Sequence, residues 1–308
     1  MAIVYDGYTV YKIQTALLRV PMSRPVHLID TQQLQNCLDG GNLRIVDCRF
    51  DLADPKAGRQ SYLRAHIPGA VYADLDLDLA AAIGPDTGRH PLPDARDFAA
   101  TLGRLGIDNR AEVIVYDADS GAVAARAWWM LRWMGHEKVR LLNGGMQQWS
   151  REGRPAESGT VRVAGTRFEG QPRREMTVTT AELVREMEHS GTCVLVDARD
   201  ARRFRGEVEP IDAVAGHVPG ARNLPYSRSL TESGTWKERS ELEALWSAAL
   251  GEDRRAGWIA MCGSGVTACH LAISALEAGY REPRLYVGSW SEWIRDPDRP
   301  VAPGRGPT

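Results

Sequence analysis

The chain has 308 residues, of which 43% are hydrophobic and 25% are charged, which is enough apolar material for two globular cores. Its 38 basic and 40 acidic residues leave a net charge of -2, so the composition gives no electrostatic reason to expect a nucleic acid or a membrane as a partner. Five cysteines without a CxxC pair argue against a disulfide framework and favour the reducing cytoplasm. Their spacings match no zinc site, and neither a metal nor another cofactor is expected.

The first 25 residues differ from those that follow. They are mildly apolar, but Asp6 and Lys12 interrupt them, and they lack the basic start and continuous apolar centre of a signal peptide. We expect residues 1–25 to be a poorly ordered extension, or a start site placed before a natural one at Met22. No run of about 18 apolar residues occurs anywhere, so no membrane-spanning helix is expected.

Residues 26–150 alternate between helical and strand patterns. Asp30 and Gln33 have the spacing of a helix N-cap and its N3 partner. A short apolar strand ending at Asp47, a Pro-Gly turn and an amphipathic helix follow, and then a second apolar strand at Val113–Asp117. Short buried strands that alternate with helices predict an α/β domain, with a short, mostly parallel sheet covered by helices on both faces.

The second half of the chain repeats the first. LRIVDCR, which contains Asp47, resembles VLVDARD, which contains Asp197, and AHIPGA resembles GHVPGA further along. GHEKVRLLNGGMQQW likewise resembles GYREPRLYVGSWSEW, in the same order and at nearly the same offset. We therefore predict a duplicated domain, with copies at residues 26–150 and 176–303. Residues 151–175, rich in Arg, Gly, Pro and Glu, read as an exposed linker between them.

The segment WIAMCGSGVTACH, residues 258–270, has the clearest chemical signal. Cys262 ends an apolar strand, a loop with two glycines follows, and a helical composition begins at Ala268. The glycines let the loop curl with its N–H groups inward, and the helix N-terminus adds partial positive charge, so both stabilise an anion on the sulfur. We predict that Cys262 is a thiolate nucleophile and interpret the other four cysteines as small hydrophobes. The loop residues expected to hold the sulfur are Gly263, Ser264, Gly265, Val266 and Thr267.

Two phosphate-binding motifs that also use a tight loop after a strand do not fit this segment. A cysteine phosphatase needs an arginine six residues after the nucleophile, where Ala268 stands, and a P-loop needs GK[ST] after its glycines. In the first copy, Asp117 takes the place of Cys262, and a carboxylate cannot accept sulfur. The first copy is therefore expected to form one wall of a cleft rather than a second reactive centre.

The loop CGSGVTA resembles the active-site loop of the 3-mercaptopyruvate sulfurtransferases, within the tandem-domain rhodanese family. The resemblance extends from about Val26 to Val301 and includes HIPGA at His66, RAWWMLRWMGH, LLNGGMQQW, RRFRG and GSWSEW. It implies two rhodanese-like domains, of which the second is catalytic. It also implies that Cys262 takes sulfur from a small anionic donor as a persulfide, and that thioredoxin, a small thiol or cyanide then removes the sulfur.

The resemblance also implies roles for particular side chains. Arg203 falls on the arginine that binds the anionic donor. Ser264 and His66 match the serine and histidine of a Ser–His–Asp set, with Asp54 as the acid. The alternative for His66 is a structural role in the turn, because His217 occupies the same slot in the second copy.

The donor and the class of activity have alternatives at this point. Mercaptopyruvate enzymes often have a second arginine where this chain has Ile211, which favours thiosulfate. The uncharged Gly263 and Ser264 favour mercaptopyruvate, because thiosulfate enzymes often place basic residues there. Two further hypotheses are therefore a thiosulfate:cyanide sulfurtransferase and a non-catalytic carrier of a persulfide.

Overall fold

The computed structural model describes residues 27–189, 194–304 and 306. The predictions for residues 1–25, including a start at Met22, and for Cys193 lie outside the described residues. The described chain forms two α/β units, each built on a five-stranded sheet in which all strands are parallel.

The strands of the first unit are β1 (Leu28–Ile29), β2 (Leu43–Asp47), β3 (Val71–Tyr72), β4 (Glu112–Tyr116) and β5 (Val139–Leu142). Its helices are α1 (Thr31–Cys37), α2 (Ala57–Arg64), α3 (Ala95–Arg104), α4 (Ala124–Trp133) and α5 (Gly145–Arg151). The strands of the second unit are β6 (Thr177–Val178), β7 (Val194–Asp197), β8 (Arg222–Asn223), β9 (Trp258–Met261) and β10 (Arg284–Tyr286). Its helices are α6 (Thr180–His189), α7 (Ala201–Phe204), α8 (Arg239–Leu250), α9 (Ala268–Glu277) and α10 (Ser289–Trp293).

The two sheets have the same topology. Their strand orders are β1-β5-β4-β2-β3 and β6-β10-β9-β7-β8, which become identical when the second set is renumbered. Strands β4 and β9 are central, and their apolar runs are buried because helices cover both faces of each sheet. The predicted α/β fold with a duplicated parallel sheet is therefore confirmed.

The predicted helix start at Asp30 is also confirmed, and the second unit has an equivalent one. At the start of α1, Asp30 Oδ1 accepts the N–H of Gln33 at 2.7 Å, and the Gln33 side chain accepts the N–H of Asp30 at 3.2 Å. At the start of α6, Thr179 and Glu182 exchange the equivalent pair of bonds. Each exchange satisfies two N–H groups that a helix start would otherwise leave without an acceptor.

The two units share one hydrophobic core. Helix α4 of the first unit packs against α9 of the second, and every residue of α4 is buried. One cluster of buried side chains runs through both units, from Trp128 to Trp258. At the edge of this interface, the Arg132 guanidinium of the first unit forms an ion pair with the Glu282 carboxylate of the second unit at 2.9 Å. No helix within the described ranges has the length and apolar character needed to cross a bilayer.

The connection between the units is mostly exposed, and backbone hydrogen bonds hold it along the first unit. Glu157 forms an antiparallel bridge with His66, through backbone bonds of 2.8 and 2.9 Å, and Thr166 N–H donates to the Gly103 carbonyl at 2.9 Å. In the second unit, His217 forms the matching bridge with Ala302. Each histidine therefore lies at a turn where the segment that follows the domain pairs with it through backbone hydrogen bonds.

Candidate active site

Cys262 directly follows β9, at the carboxyl edge of the second sheet. Its N–H donates to Ser289 Oγ at 3.0 Å, its carbonyl accepts the N–H of Trp290 at 3.0 Å, and its Sγ accepts the N–H of Gly265 at 3.1 Å. Ser289 has φ +51°, the one positive φ of a non-glycine residue in the described ranges, and its hydroxyl also donates to the Tyr286 carbonyl at 2.9 Å. These bonds fix the backbone on both sides of the sulfur.

Gly265 allows the loop to close around the sulfur. Its φ is +76°, a left-handed conformation that side chains with a Cβ disfavour. A Cβ at this position would also lie 2.4 Å from the carbonyl oxygen of Val287, which is well inside contact distance. The Gly265 carbonyl accepts a hydrogen bond from Arg126 Nη1 of the first unit at 3.0 Å.

The matching loop in the first unit holds a carboxylate instead of a thiol. The Asp117 carbonyl accepts the N–H of Met146 at 2.9 Å, as that of Cys262 accepts Trp290, which confirms the predicted correspondence. The Asp117 carboxylate is buried, and burial raises its pKa. It accepts four loop N–H groups at 2.8 to 3.2 Å, from Asp119, Gly121, Val123 and Ala124. In both units, loop N–H groups therefore face the side chain that follows the central strand, Cys262 in one unit and Asp117 in the other.

Cys262 lies at the base of a cleft of about 300 Å³ between the two units. The predicted residues that line this cleft are Cys262, Gly263, Ser264, Val266, Thr267 and Arg203. The predicted residues Gly265 and His66 are not part of the cleft lining. Apolar side chains from both units complete the walls, among them Leu75 and Ile211.

The histidine beside the loop is His90, not His66. His90 Nδ1 lies 2.7 Å from Ser264 Oγ, and its Nε2 lies 3.2 Å from Asp76 Oδ1. Burial, reinforced by the positive charges of Arg126 and Arg89, lowers the pKa of His90 to about 4. As a neutral ring at pH 7, His90 can accept the Ser264 hydroxyl at Nδ1 and donate to Asp76 from Nε2.

His66 and Asp54 are therefore corrected as site residues. His66 is fully buried, its Nδ1 lies 2.8 Å from the Tyr62 carbonyl, and its ring stacks on Tyr62. His217 makes the same pair of contacts with Phe204, which supports the structural role for this slot. Asp54 is exposed and accepts the N–H of Lys56. The HxPGA pattern that suggested a catalytic histidine at His66 marks a structural turn, and it does so in both copies.

Arg203 and Arg199 both line the cleft, and each pairs with carboxylates of the second unit. Arg203 Nη2 contacts Glu209 Oε1 at 2.8 Å and Asp212 Oδ2 at 3.0 Å. Arg199 is buried, pairs with Asp197 at 2.8 Å and stacks over the ring of Trp290 at 4.6 Å. These contacts give Arg199 a structural role at the end of β7, whereas the head of Arg203 lies beside Gly263 in the loop of Cys262.

A buried arginine from the first unit supports the loop from behind. Arg126 of α4 is fully buried and donates to the carbonyls of Gly265 and His90, each at 3.0 Å, and to that of Leu79 at 3.4 Å. Within the described part of the chain it makes no ion pair with a carboxylate. Burial lowers the pKa of Arg126, and the nearby thiols of Cys262 and Cys269 act against that change.

The other described cysteines have no access to the cleft. Cys269 is buried in α9, where its Sγ lies 3.4 Å from the Gly265 carbonyl, and burial raises its pKa to about 12. Cys48 is buried, and burial raises its pKa well above the ordinary value. Cys37 is half-buried in α1. Among the described residues, Cys262 alone combines a thiol, a cleft and a loop N–H.

Comparison with known proteins identifies the family. The family described as "Rhodanese-like domain" matches residues 30–152 and 179–296, one match for each unit. The chain therefore belongs to the rhodanese family, with two tandem rhodanese-like domains. The predicted resemblance is confirmed.

The chain's relatives of known name are sulfurtransferases. The chain is 44% identical to the probable 3-mercaptopyruvate sulfurtransferase of Pseudomonas aeruginosa, over 90% of this chain and 98% of that protein. It is 35% identical to the thiosulfate sulfurtransferase of Bos taurus, over 87% of this chain and 91% of that protein. The crystal structure of SseA from Escherichia coli, a 3-mercaptopyruvate sulfotransferase by its description, has 33% identity and a TM-score of 0.77, over 87% of this chain and 100% of that one. The prediction of a sulfurtransferase is confirmed.

Proposed function

We propose that this sulfurtransferase takes sulfur from 3-mercaptopyruvate onto Cys262 and passes it to a thiophilic acceptor. The observation that carries the proposal is the position of Cys262 Sγ, at the base of the interdomain cleft and within 3.1 Å of the Gly265 N–H. A loop N–H beside the sulfur stabilises an anion there, whether a thiolate or the outer sulfur of a persulfide. The relatives named for 3-mercaptopyruvate support the choice of donor.

The first half-reaction is a transfer of neutral sulfur. The Cys262 thiolate attacks the donor sulfur, an S–S bond forms, and the donor C–S bond breaks. The electron pair of that bond leaves as the enolate of pyruvate, which takes up the proton of the donor thiol to become pyruvate. We assign the Ser264 hydroxyl the task of donating to the donor carbonyl oxygen as charge develops on it, in place of the hydrogen bond that the hydroxyl gives to His90 Nδ1.

The second half-reaction regenerates the thiolate. A thiol such as that of thioredoxin or a small thiol, or cyanide, attacks the outer sulfur of the persulfide, and the S–S bond breaks with its electron pair on Cys262. A thiol acceptor must itself be reduced, and the described cysteines are free. Both points favour a reducing compartment such as the cytoplasm.

We assign catalysis to the second domain, residues 176–303, and a supporting role to the first, residues 26–150, with residues 151–175 as linker. Asp117 occupies the place of the nucleophile in the first domain, and its carboxylate already fills the loop N–H groups. Thiosulfate is the second candidate donor, because the cleft is lined by Arg203 and relatives named for thiosulfate share this fold. A non-catalytic persulfide carrier is the remaining alternative.

The nucleophile is tested by steady-state turnover of 3-mercaptopyruvate and of thiosulfate, with cyanide as acceptor. We expect Cys262→Ser to lose activity by about 10³-fold or more, because a hydroxyl cannot hold the transferred sulfur. Cys37→Ser, at a half-buried site on α1, is the matched control and should retain wild-type turnover. Full activity in Cys262→Ser would contradict the proposal. A mass gain of one sulfur on Cys262 without turnover would instead favour the carrier.

The donor site is tested by Arg203→Ala. Losing a charge-assisted hydrogen bond of about 1.5–3 kcal/mol should raise the KM for either anionic donor by about 10- to 100-fold. Arg202→Ala removes the neighbouring arginine, whose side chain is 64% exposed, and should leave KM unchanged. Unchanged KM and kcat in Arg203→Ala would refute the role of this residue.

A further inference from the structure

Arg126 of the first unit has a counterpart in the second unit, which is His270. Arg126 is the third residue of α4 and His270 is the third residue of α9, and these two helices pack against each other. Arg126 Nη1 donates to the Gly265 carbonyl at 3.0 Å, and His270 Nε2 lies 3.1 Å from the Ser120 carbonyl in the matching loop of the first unit. Each unit therefore supports the loop of the other with a side-chain hydrogen bond.

The two donors differ in charge. Burial lowers the pKa of His270 to about 3, so its ring is neutral at pH 7 and bonds the carbonyl as an N–H donor. Arg126 is fully buried, and an arginine in a protein keeps its proton. Because a neutral donor is enough to support the loop of the first unit, the charge of Arg126 is not needed for the hydrogen bond alone.

The difference in charge matches the acidity of the groups that the two loops hold. The carboxyl group of aspartic acid, such as Asp117, has an ordinary pKa of about 4 and ionises without a cation beside it. A thiol, such as that of Cys262, has an ordinary pKa of about 8.5, so most of it is protonated at pH 7 unless its surroundings favour the anion. The permanent charge of Arg126 faces the loop that holds the weaker acid.

Among the charged groups described around Cys262, Arg126 is the cation that has no carboxylate partner. The titratable side chains that line the cleft beside Cys262 are Arg89, Arg199, Arg203, Asp200, His90 and Tyr226. The three arginines pair with Asp212, Asp197 and Glu209. His90 is neutral at pH 7, and Asp200 is exposed at the start of α7. Arg126 is not part of the cleft lining, and its three hydrogen bonds go to neutral carbonyl groups.

Of the two described thiols that interact with the charge of Arg126, only Cys262 is suited to be an anion at pH 7. The two thiols are those of Cys269 and Cys262. Burial raises the pKa of Cys269 to about 12, so that thiol is neutral at pH 7. Cys262 Sγ has the Gly265 N–H at 3.1 Å and opens to the cleft. A buried cation is costly unless an anion compensates it, so the fold favours the anionic form of the Cys262 sulfur.

We propose that Arg126 is the counter-ion of Cys262, supplied by the non-catalytic domain, and that its charge keeps the sulfur anionic as a thiolate and then as a persulfide. Both forms carry one negative charge, so one fixed cation serves both half-reactions. Arg126 contacts the Gly265 carbonyl and not the reacting sulfur, and it is therefore a positioning residue. The inference rests on the proposed function in that it takes Cys262 as the residue that accepts sulfur.

The test is the pH profile for alkylation of Cys262 by iodoacetamide, measured by mass spectrometry on the peptide that contains this residue. Iodoacetamide is neutral and reacts with the thiolate, so the midpoint of the profile reports the ionisation of the sulfur. We expect Arg126→Gln, which keeps an N–H donor without the charge, to raise the midpoint by about one pH unit. Alkylation at a pH below both midpoints should then be about tenfold slower. An unchanged midpoint would overturn the proposal.

Two further variants separate the charge from the packing of α4. Arg126→Lys keeps the charge with fewer hydrogen bonds and should restore more than half of the shift, whereas a shift as large as that of Arg126→Gln would overturn the proposal. Arg132→Gln is the matched control, because Arg132 is another arginine of α4 that reaches the second unit, through Glu282. It should keep the wild-type midpoint. An equal rise in Arg132→Gln would indicate loosened contact between the domains and would refute the counter-ion.

A replacement variant is available if Arg126→Gln does not fold. Arg126→His copies the matching position of the second unit, where the fold already holds a buried, neutral histidine at His270. The same rise of about one pH unit is expected for it. A wild-type midpoint in this variant would count against the proposal in the same way.

Turnover separates this role from donor binding. Because Arg126 is not part of the cleft lining, Arg126→Gln should lower kcat with 3-mercaptopyruvate at pH 7 by about tenfold and leave KM within about twofold. A raised KM at unchanged kcat would overturn the proposal. Alkylation needs no sulfur transfer, so the pH profiles test Arg126 even if wild type turns over neither 3-mercaptopyruvate nor thiosulfate, which would be a failure of the proposed function instead.

Discussion

Replacing Gly265 by alanine should strain the loop in a way that can be measured against a matched site. A non-glycine residue in the left-handed region costs about 1 kcal/mol or more. The new Cβ would also lie 2.4 Å from the Val287 carbonyl, and such overpacking typically costs about 1–3 kcal/mol. Gly265→Ala should therefore lower the free energy of unfolding by about 2–4 kcal/mol. Gly220→Ala is the control, because Gly220 has φ +80° but no atom within 4 Å of its Cβ, and it should lose only the first contribution.

The assay is urea unfolding of both variants at pH 7, together with the rate of Cys262 alkylation by iodoacetamide. Relief of the clash would move the Gly265 N–H away from Cys262 Sγ, so we expect alkylation to slow by about tenfold in Gly265→Ala. Gly220→Ala should react as wild type does. If Gly265→Ala is no less stable than Gly220→Ala and reacts at the wild-type rate, the reasoning about this loop is wrong.

Two further predictions concern buried titratable groups. The pKa of His90 is lowered by burial from 6.5 to about 4, so the unfolded chain binds a proton that the folded chain does not as the pH falls through this window. Wild type should therefore lose about 2–3 kcal/mol more stability than His90→Asn between pH 7 and pH 4.5, and equal losses in urea unfolding would contradict this. Asp117→Ala leaves four loop N–H groups without their acceptor, of which those of Gly121 and Ala124 are buried, and should cost about 3–5 kcal/mol at pH 7. Asp119→Ala, at an exposed position of the same loop, should cost less than about 1 kcal/mol, and similar urea midpoints for the two variants would refute the role of Asp117.

The surroundings of Cys262 could be predicted because they are contiguous in the chain. The strand, the two glycines and the helix all fall within residues 258–270, and local rules for turns and helix starts apply to them. His90 and Arg89 could not be predicted in the same way. His90 contacts Ser264 although 174 residues separate them in the sequence. Local sequence patterns do not predict which faces of two domains pack together.

Two short helices also left no pattern in the sequence. In α7, Phe204 is the one fully buried residue, and in α2 the buried side chain is that of Tyr62. A single buried side chain produces no repeat at helical spacing, so periodicity cannot reveal such a helix. The error at His66 has the opposite cause, because the HxPGA pattern was clear but marked a turn in both copies.

Arg126 has a consequence for the history of the duplication. A duplicated domain can be lost again as long as each copy is complete, but here the loop of Cys262 has its buried cation on a helix of the other copy. That helix, α4, also covers α9, so removing the first copy would expose apolar surface as well as the polar groups that face it. The first copy, although it has Asp117 in place of Cys262, is therefore needed to keep the loop of Cys262 and helix α9 covered. Cutting the chain between the two copies would therefore divide one hydrophobic core and not release two independent domains.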